Sequence, residues 1–124
     1  VTKAGSVCET PIDMSALHPT LLELGGLAAD EACDGVSIVP LLKNPESQWK
    51  RPALMTYGRG NHAVRSERWR YIRYADGSEE LYDHQNDSKE WVNLASKKRF
   101  SSIIDSHKKW LPQNEATLVP DLKR

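Results

Sequence analysis

The 124-residue chain has no apolar run near the roughly 20 residues that a helix needs to cross a bilayer, and no apolar leader with a cleavage pattern at its start. No charge of one sign is in surplus: Lys and Arg together number 17, as do Asp and Glu. A field that gathers nucleic acid or an anionic membrane is therefore excluded, and any anion binding must rest on a local cluster. Cysteine is scarce. Cys8 and Cys33 stand alone, and one disulfide or two separate thiols both remain open. Self-contained catalytic motifs are missing as well: no paired-histidine metal motif, no phosphate-cradling loop, no Gly-x-Ser-x-Gly elbow and no calcium loop of the EF type. The run Asp83-His84-Gln85-Asn86-Asp87 lacks the Gly and closing Glu of such a calcium loop and reads as solvent-facing turn chemistry.

What is present suits one modest globular unit, with 39% hydrophobic and 27% charged residues. Position 1 is Val, not Met, which suggests a processed, truncated or excised product. From Ile12 to Leu27 the pattern is helical: Leu17, Leu21 and Leu24 recur at spacings of four and three, Pro19 fits a first turn, and Gly25-Gly26 supplies the stop. Ser15 is the expected N-cap, because its hydroxyl can accept a first-turn amide. Ala28 to Asp34 then reads as a surface loop. Val36 to Leu42 is an apolar run interrupted by Pro40 and reads as a connector anchored by Leu41 and Leu42, each contributing roughly 1.5–3 kcal/mol if fully covered.

From Pro52 the period switches to two. Strands are expected at Ala53–Tyr57, Ala63–Arg65, Trp69–Tyr74 and Glu79–Tyr82, with turns at Ser66-Glu67 and Asp76-Gly77. On the third strand Trp69, Tyr71 and Arg73 face one side, and Arg70, Ile72 and Tyr74 the other. Between Lys97 and Leu111 an amphipathic helix is expected to lie across the sheet and to end at Pro112, leaving an extended tail from Gln113 to Arg124. The fold class is α+β: a small antiparallel sheet of about four strands with a packed C-terminal helix.

Chemistry concentrates in the loop Tyr57-Gly58-Arg59-Gly60-Asn61-His62-Ala63-Val64-Arg65. Two glycines permit sharp bends, while Arg59, Asn61, His62 and Arg65 bring donors suited to a sulfate or a uronate close together. A solvated connecting loop with a hydrogen-bonded histidine is the simpler alternative. Arg68, Arg70 and Arg73 are expected to form cross-strand pairs with Glu79 and Glu80. Trp49, Trp69, Tyr71, Tyr74 and Tyr82 leave open a second role, a stand-alone carbohydrate-binding or protein-interaction module with an aromatic platform, although such residues are more often core.

Four motifs, in order, resemble the sulfatase family of the alkaline-phosphatase-like superfamily. Leu17-His18-Pro19-Thr20-Leu21-Leu22-Glu23-Leu24-Gly25-Gly26-Leu27 is similar to the family's Asp-Leu-Tyr-Pro-Thr-Leu-Leu-Glu-Leu-Ala-Gly-Leu, and Asp34 through Leu42 to its Asp-Gly-x-Ser-Leu-x-Pro-Leu-Leu. Arg65 through Ile72 resembles its Arg-x-x-x-Trp-Lys-Tyr-Ile strand. Glu80-Leu81-Tyr82-Asp83 through Asn93-Leu94-Ala95 resembles its Glu-Leu-Tyr-Asp … Asn-Leu-Ala ending. Gly-Asn-His-Ala-Val-Arg places the chain nearest bacterial iduronate-2-sulfatase-like enzymes. Ala16, His18 and Ser88 depart from the Asp, Tyr and Pro that many members carry.

The resemblance implies that residues 1–45 are the tail end of a sulfatase α/β catalytic domain and that residues 46–124 are its C-terminal subdomain. It implies a sulfated carbohydrate substrate such as an iduronate-2-sulfate, no nucleic-acid partner, and a periplasmic or secreted setting. Calcium and a formylglycine are expected in the upstream catalytic domain, with no cofactor, metal ligand or catalytic residue within this chain. The formylglycine motif, Cys/Ser-x-Pro-x-Arg, is not present: Cys8-Glu9-Thr10-Pro11-Ile12 has its proline one place late and no arginine. By the same analogy His62 and Arg65, then Arg59 and Asn61, are the expected substrate contacts.

Overall fold

Asp13 opens the first helical segment, in extended backbone at φ −105° and ψ 166°, and its carboxylate accepts the Ser15 amide at 3.1 Å and the Ser15 hydroxyl. Ser15 is therefore a donor to the cap and not the cap itself: a carboxylate two positions earlier reaches the same amide. A 3-10 turn at Met14–Ala16 leads into α1, Leu17–Leu24, with Pro19 in the first turn where its missing N–H leaves no bond unmade. Gly25 caps the helix and Gly26 follows at φ 68°, a conformation that an L side chain resists. These coordinates, a computed structural model, describe residues 2–117. They divide into two compact units, Val1–Ala53 and Leu54–Arg124. The expected extension of the tail beyond residue 117 lies outside the described residues.

In the first unit the shared motifs acquire physical roles. The buried Thr20 hydroxyl donates to the Ala16 carbonyl at 2.6 Å and accepts the Ile38 amide at 3.0 Å, tying α1 to the segment that follows it in space. Gly35 lies so close to Ser15 that a Cβ there would run into the Ser15 carbonyl. Ser37 accepts the Val39 amide at 3.2 Å and starts α2, Val39–Lys43. Pro40 does not interrupt this stretch as the sequence suggested. It occupies a first-turn position, and the presumed connector is a short helix whose Val39 and Leu41 are buried. Leu42 is only half-buried. Cys8 and Cys33 are free thiols. Leu17, Leu21 and Leu24, the stripe that marked α1 in the sequence, remain 50%, 57% and 45% exposed.

The second unit is built on a four-stranded sheet in the order β1-β2-β3-β4, with β1 at Ala53–Thr56, β2 at His62–Arg65, β3 at Trp69–Arg73 and β4 at Glu79–Asp83. Antiparallel register aligns His62 with Arg73 and Glu79, then Val64 with Tyr71 and Leu81. Aligned residues share a face, so His62 lies on the face that carries the core, one step from its centre. That core is Val64, Tyr71, Leu81 and Ile104, flanked by Trp69, Leu94, Phe100 and Ile103. Ile104 comes from α3, Ser101–Lys108, which a 3-10 turn at Lys98–Phe100 introduces.

Helix α3 is shorter than its sequence pattern. After Lys108 the chain tightens, the Trp110 amide bonding the His107 carbonyl at 3.0 Å and the Leu111 amide the Lys108 carbonyl at 3.1 Å. The residue before a proline avoids helical backbone, so Pro112 acts on the turn ahead of it. His107 is buried on α3, with Nδ1 donating to the Ile103 carbonyl at 2.8 Å and Nε2 accepting the Ser66 hydroxyl at 3.0 Å.

Of the expected arginine ladder, Arg73 stands opposite Glu79 in the register, whereas Arg68 and Arg70 take other partners. Arg68 grips Asp83 through two bonds of 2.8 and 2.7 Å, which hold the Asp83 carboxyl down to about 2. Arg70 bonds Glu90 at 3.0 and 3.2 Å, and Glu90 also bonds His84 at 2.6 Å. Glu79 is engaged instead by the Tyr71 hydroxyl and Lys108. The loop after β4 brings Glu90 around at φ 58°, closer to Arg70 than sequence distance suggests. Asp83 is buried and caps its own turn, its carboxylate accepting the Gln85 amide at 3.2 Å and the Asn86 side chain at 2.8 Å, so this residue is not solvent-facing.

Candidate functional site

Gly58 and Gly60 shape the loop between β1 and β2, at φ 70° and 77°. Only backbone conformation constrains Gly58. A Cβ on Gly60 would also come within 3.0 Å of Ala75, so the loop packs against the turn after β3. Asn61 locks that contact: its Oδ1 accepts the Ala75 amide at 3.2 Å, and its Nδ2 donates to the Arg59 carbonyl at 3.1 Å. Both polar ends of Asn61 thus serve the loop itself.

His62 follows as the first residue of β2, 3% exposed. Nδ1 pairs with the Thr56 hydroxyl at 2.9 Å across the hairpin. Nε2 faces the Glu115 carboxylate, 3.2 Å from Oε1, and among the described residues this buried nitrogen makes no hydrogen bond of good geometry. Glu115 Oε2 accepts the Gly60 amide at 2.6 Å. The Gly60 amide, and after it His62, hold the Glu115 carboxyl below the usual range. Around these groups is a cleft of about 390 Å³, lined by Thr56, Arg59 and His62 on one side and Pro112, Asn114 and Glu115 on the other.

Of the four residues that the sequence singled out, the structure brings His62 and Arg59 to this cleft. Asn61 lies behind it. Arg65, at the far end of β2 and of opposite parity to His62, folds its guanidinium onto the next turn, bonding the Ser66 carbonyl, that of Glu67 at 3.0 Å and that of Trp69 at 3.4 Å. Burial pushes the Arg65 pKa down. Thr56 and Glu115 escaped the sequence reading. Thr56 looked like an ordinary strand residue, and Glu115 lies in a proline-flanked tail 55 positions from Gly60 with nothing local to connect them.

Two of the five aromatics read as a possible platform are taken up by the core. Tyr71 is fully buried and Trp69 packs on Phe100 with ring centroids 5.5 Å apart, so both belong to the core. In the first unit His18, Asp30 and Cys33 bring metal-compatible atoms within 4.8 Å of one another at the surface. Desolvation and then the Asp30 carboxylate push the Cys33 thiol up.

Residues 2–117 match the family described as N-sulphoglucosamine sulphohydrolase, C-terminal. The chain belongs to that sulfatase family. A sulfatase of Formosa agariphila is 41% identical over 113 residues, which are 91% of this chain and 22% of the relative. A Delta 4,5-hexuronate-2-O-sulfatase of Bacteroides thetaiotaomicron is 31% identical over 101 residues, 74% of this chain and 21% of that protein. Among solved structures, a 2-O GAG sulfatase superposes with a TM-score of 0.57 at 28% identity, covering 75% of this chain and 22% of the other. The chain therefore spans about a fifth of the length of the curated relatives it matches. The α+β arrangement expected of a sulfatase C-terminal portion is the one observed.

Proposed function

We propose that the chain is the C-terminal portion of a sulfuric ester hydrolase acting on a sulfated sugar, and that the cleft at His62 forms one wall of its substrate site. Residues 1–45 then belong to the end of the catalytic domain and residues 46–124 to the closing subdomain. The observation that carries this reading is the His62 Nε2: a buried nitrogen 3.2 Å from the Glu115 carboxylate, short of a well-formed hydrogen bond, at the edge of a cleft large enough for part of a sugar ring. A ligand oxygen entering the cleft can supply the well-formed bond that a buried polar group calls for. Arg59, exposed on the same cleft, adds a cation for a sulfate or carboxylate. Asn61 acts at one remove, fixing the loop that presents His62, while Arg65 holds the turn at the far end of β2.

The favoured substrate is a 2-O-sulfated hexuronate. Support comes from the relative whose name specifies hexuronate 2-O-sulfate and from a cleft whose donors suit oxyanions. Formylglycine and calcium, the groups that sulfatases use, do not fit the residues of this chain: the modification motif is not in the sequence, and the His18, Asp30 and Cys33 group is not an oxygen-rich calcium set. Sulfate-ester cleavage is accordingly assigned to the upstream domain, and this chain alone is expected to be inactive. In the complete enzyme, His62→Ala with Arg59→Ala should lower kcat/KM for a 2-O-sulfated uronide by about tenfold or more, the loss of one or two charge-assisted hydrogen bonds. A change within twofold would remove the wall role.

A further inference from the structure

Glu115 sits in the cleft as a ligand would. One carboxylate oxygen accepts the Gly60 amide at 2.6 Å, and the other stands 3.2 Å from His62 Nε2. Two converging donors thus meet the two oxygens of one planar group. The second contact falls short of a well-formed hydrogen bond. Thr56 fixes the ring from its other nitrogen, and Asn61 and Ala75 fix the loop that aims the Gly60 amide, so the donors are held in place independently of Glu115. Glu115 comes from a tail segment beyond Pro112, whose Asn114, Ala116 and Thr117 form the opposite side of the cleft.

We infer that the Gly60 amide and His62 Nε2 form the seat of a ligand carboxylate, which Glu115 holds in its absence, so that the 112–117 segment must swing aside when a uronic acid residue binds. This rests on the cleft being a substrate wall and adds which group of the sugar enters it. Planarity favours a carboxylate over a sulfate. A tetrahedral sulfate turns a third oxygen away from these two donors, toward the cleft and the exposed Arg59 guanidinium. A tethered competitor lowers the apparent affinity of a free ligand by the fraction of time it holds the site, so removing Glu115 should strengthen binding.

The test follows the Gly60 amide by 15N NMR in the 124-residue chain, titrated at constant ionic strength with sodium glucuronate, sodium sulfate or glucose. Glu115→Ala should tighten the glucuronate Kd read at Gly60 by about fivefold or more relative to the parent chain, with glucose silent and sulfate weaker than glucuronate. Equal affinities in parent and variant, a Gly60 resonance that glucuronate does not move, or sulfate binding as tightly as glucuronate would each overturn the inference. Unchanged β3 and β4 amides in Glu115→Ala show that the sheet is intact. Because the readout is binding by the chain itself, a silent titration leaves the kinetic case for the wall untouched, and an enzyme indifferent to His62→Ala leaves the titration result standing.

Discussion

The Tyr71 hydroxyl donates to Glu79 Oε1 at 2.6 Å, and the same oxygen receives Lys108 Nζ at 2.7 Å. Tyr71 is the centre of the sheet's buried face and Lys108 the last residue of α3, so one carboxylate joins core strand to helix. Desolvation opposes ionisation of Glu79, but Lys108 and then Tyr71 outweigh it and hold its pKa down. Burial, with Glu79 behind it, drives the Tyr71 phenol well above its ordinary value.

Replacing Tyr71 by Phe keeps the packed ring and removes this bond. Thermal or urea unfolding should show a loss of about 1.5–3 kcal/mol, the usual net worth of a hydrogen bond to a charged group. Lys108→Ala should cost less, at most about 1 kcal/mol, because that pair is partly open to water.

His107 supplies a pH dependence. Burial lowers its pKa below the ordinary 6.5, despite the opposing bond to the Ile103 carbonyl. Above pH 6.5 the imidazole is neutral in both folded and unfolded chains and contributes no slope. As pH falls below 6.5 the unfolded chain takes up the proton first, so stability declines until the folded pKa is passed. The melting temperature should drop as pH falls below about 6.5, and His107→Gln should flatten that part of the profile, checked by calorimetry across the range.

The two loop glycines separate backbone strain from crowding. Gly58→Ala meets only an unfavourable positive φ and should destabilise by roughly 1 kcal/mol. Gly60→Ala adds contact with Ala75 at 3.0 Å and should cost roughly 2–3 kcal/mol, with the His62 and Ala75 amides shifted in NMR spectra.

Leu17, Leu21 and Leu24 leave an apolar stripe open on α1. At concentrations of tens of micromolar and above, the 124-residue chain should self-associate in light scattering, and Leu17→Gln with Leu21→Gln should reduce that association. A chain that stays monomeric with the leucines intact would show that the stripe is not adhesive.

Sheet and helix positions were legible because alternation and turn chemistry are local. Asp76-Gly77 turned the third hairpin with Gly77 at φ 85°, and β1 to β4 fall within a residue or two of expectation. The same local signals misjudged Pro40, since a first-turn proline and a helix-breaking one look alike until the start of α2 at Val39 is seen. Partner choice was the least legible. Arg68, Arg70 and Arg73 pointed to Glu79 and Glu80 by proximity, and only Arg73 stands opposite one of them, Glu79; Arg68 turns to Asp83, and the chain's return through Glu90 takes Arg70. The site shows the same division: His62 and Arg59 stood out as donors, but Glu115 enters only through a fold-back that no spacing encodes.

The most direct measurement is a crystal structure of the complete enzyme with a 2-O-sulfated uronide bound. The account predicts a sugar oxygen within about 3.2 Å of His62 Nε2 and the Glu115 carboxylate withdrawn from the Gly60 amide. A ligand bound elsewhere, with His62 sealed behind protein and Glu115 still on Gly60, would contradict it.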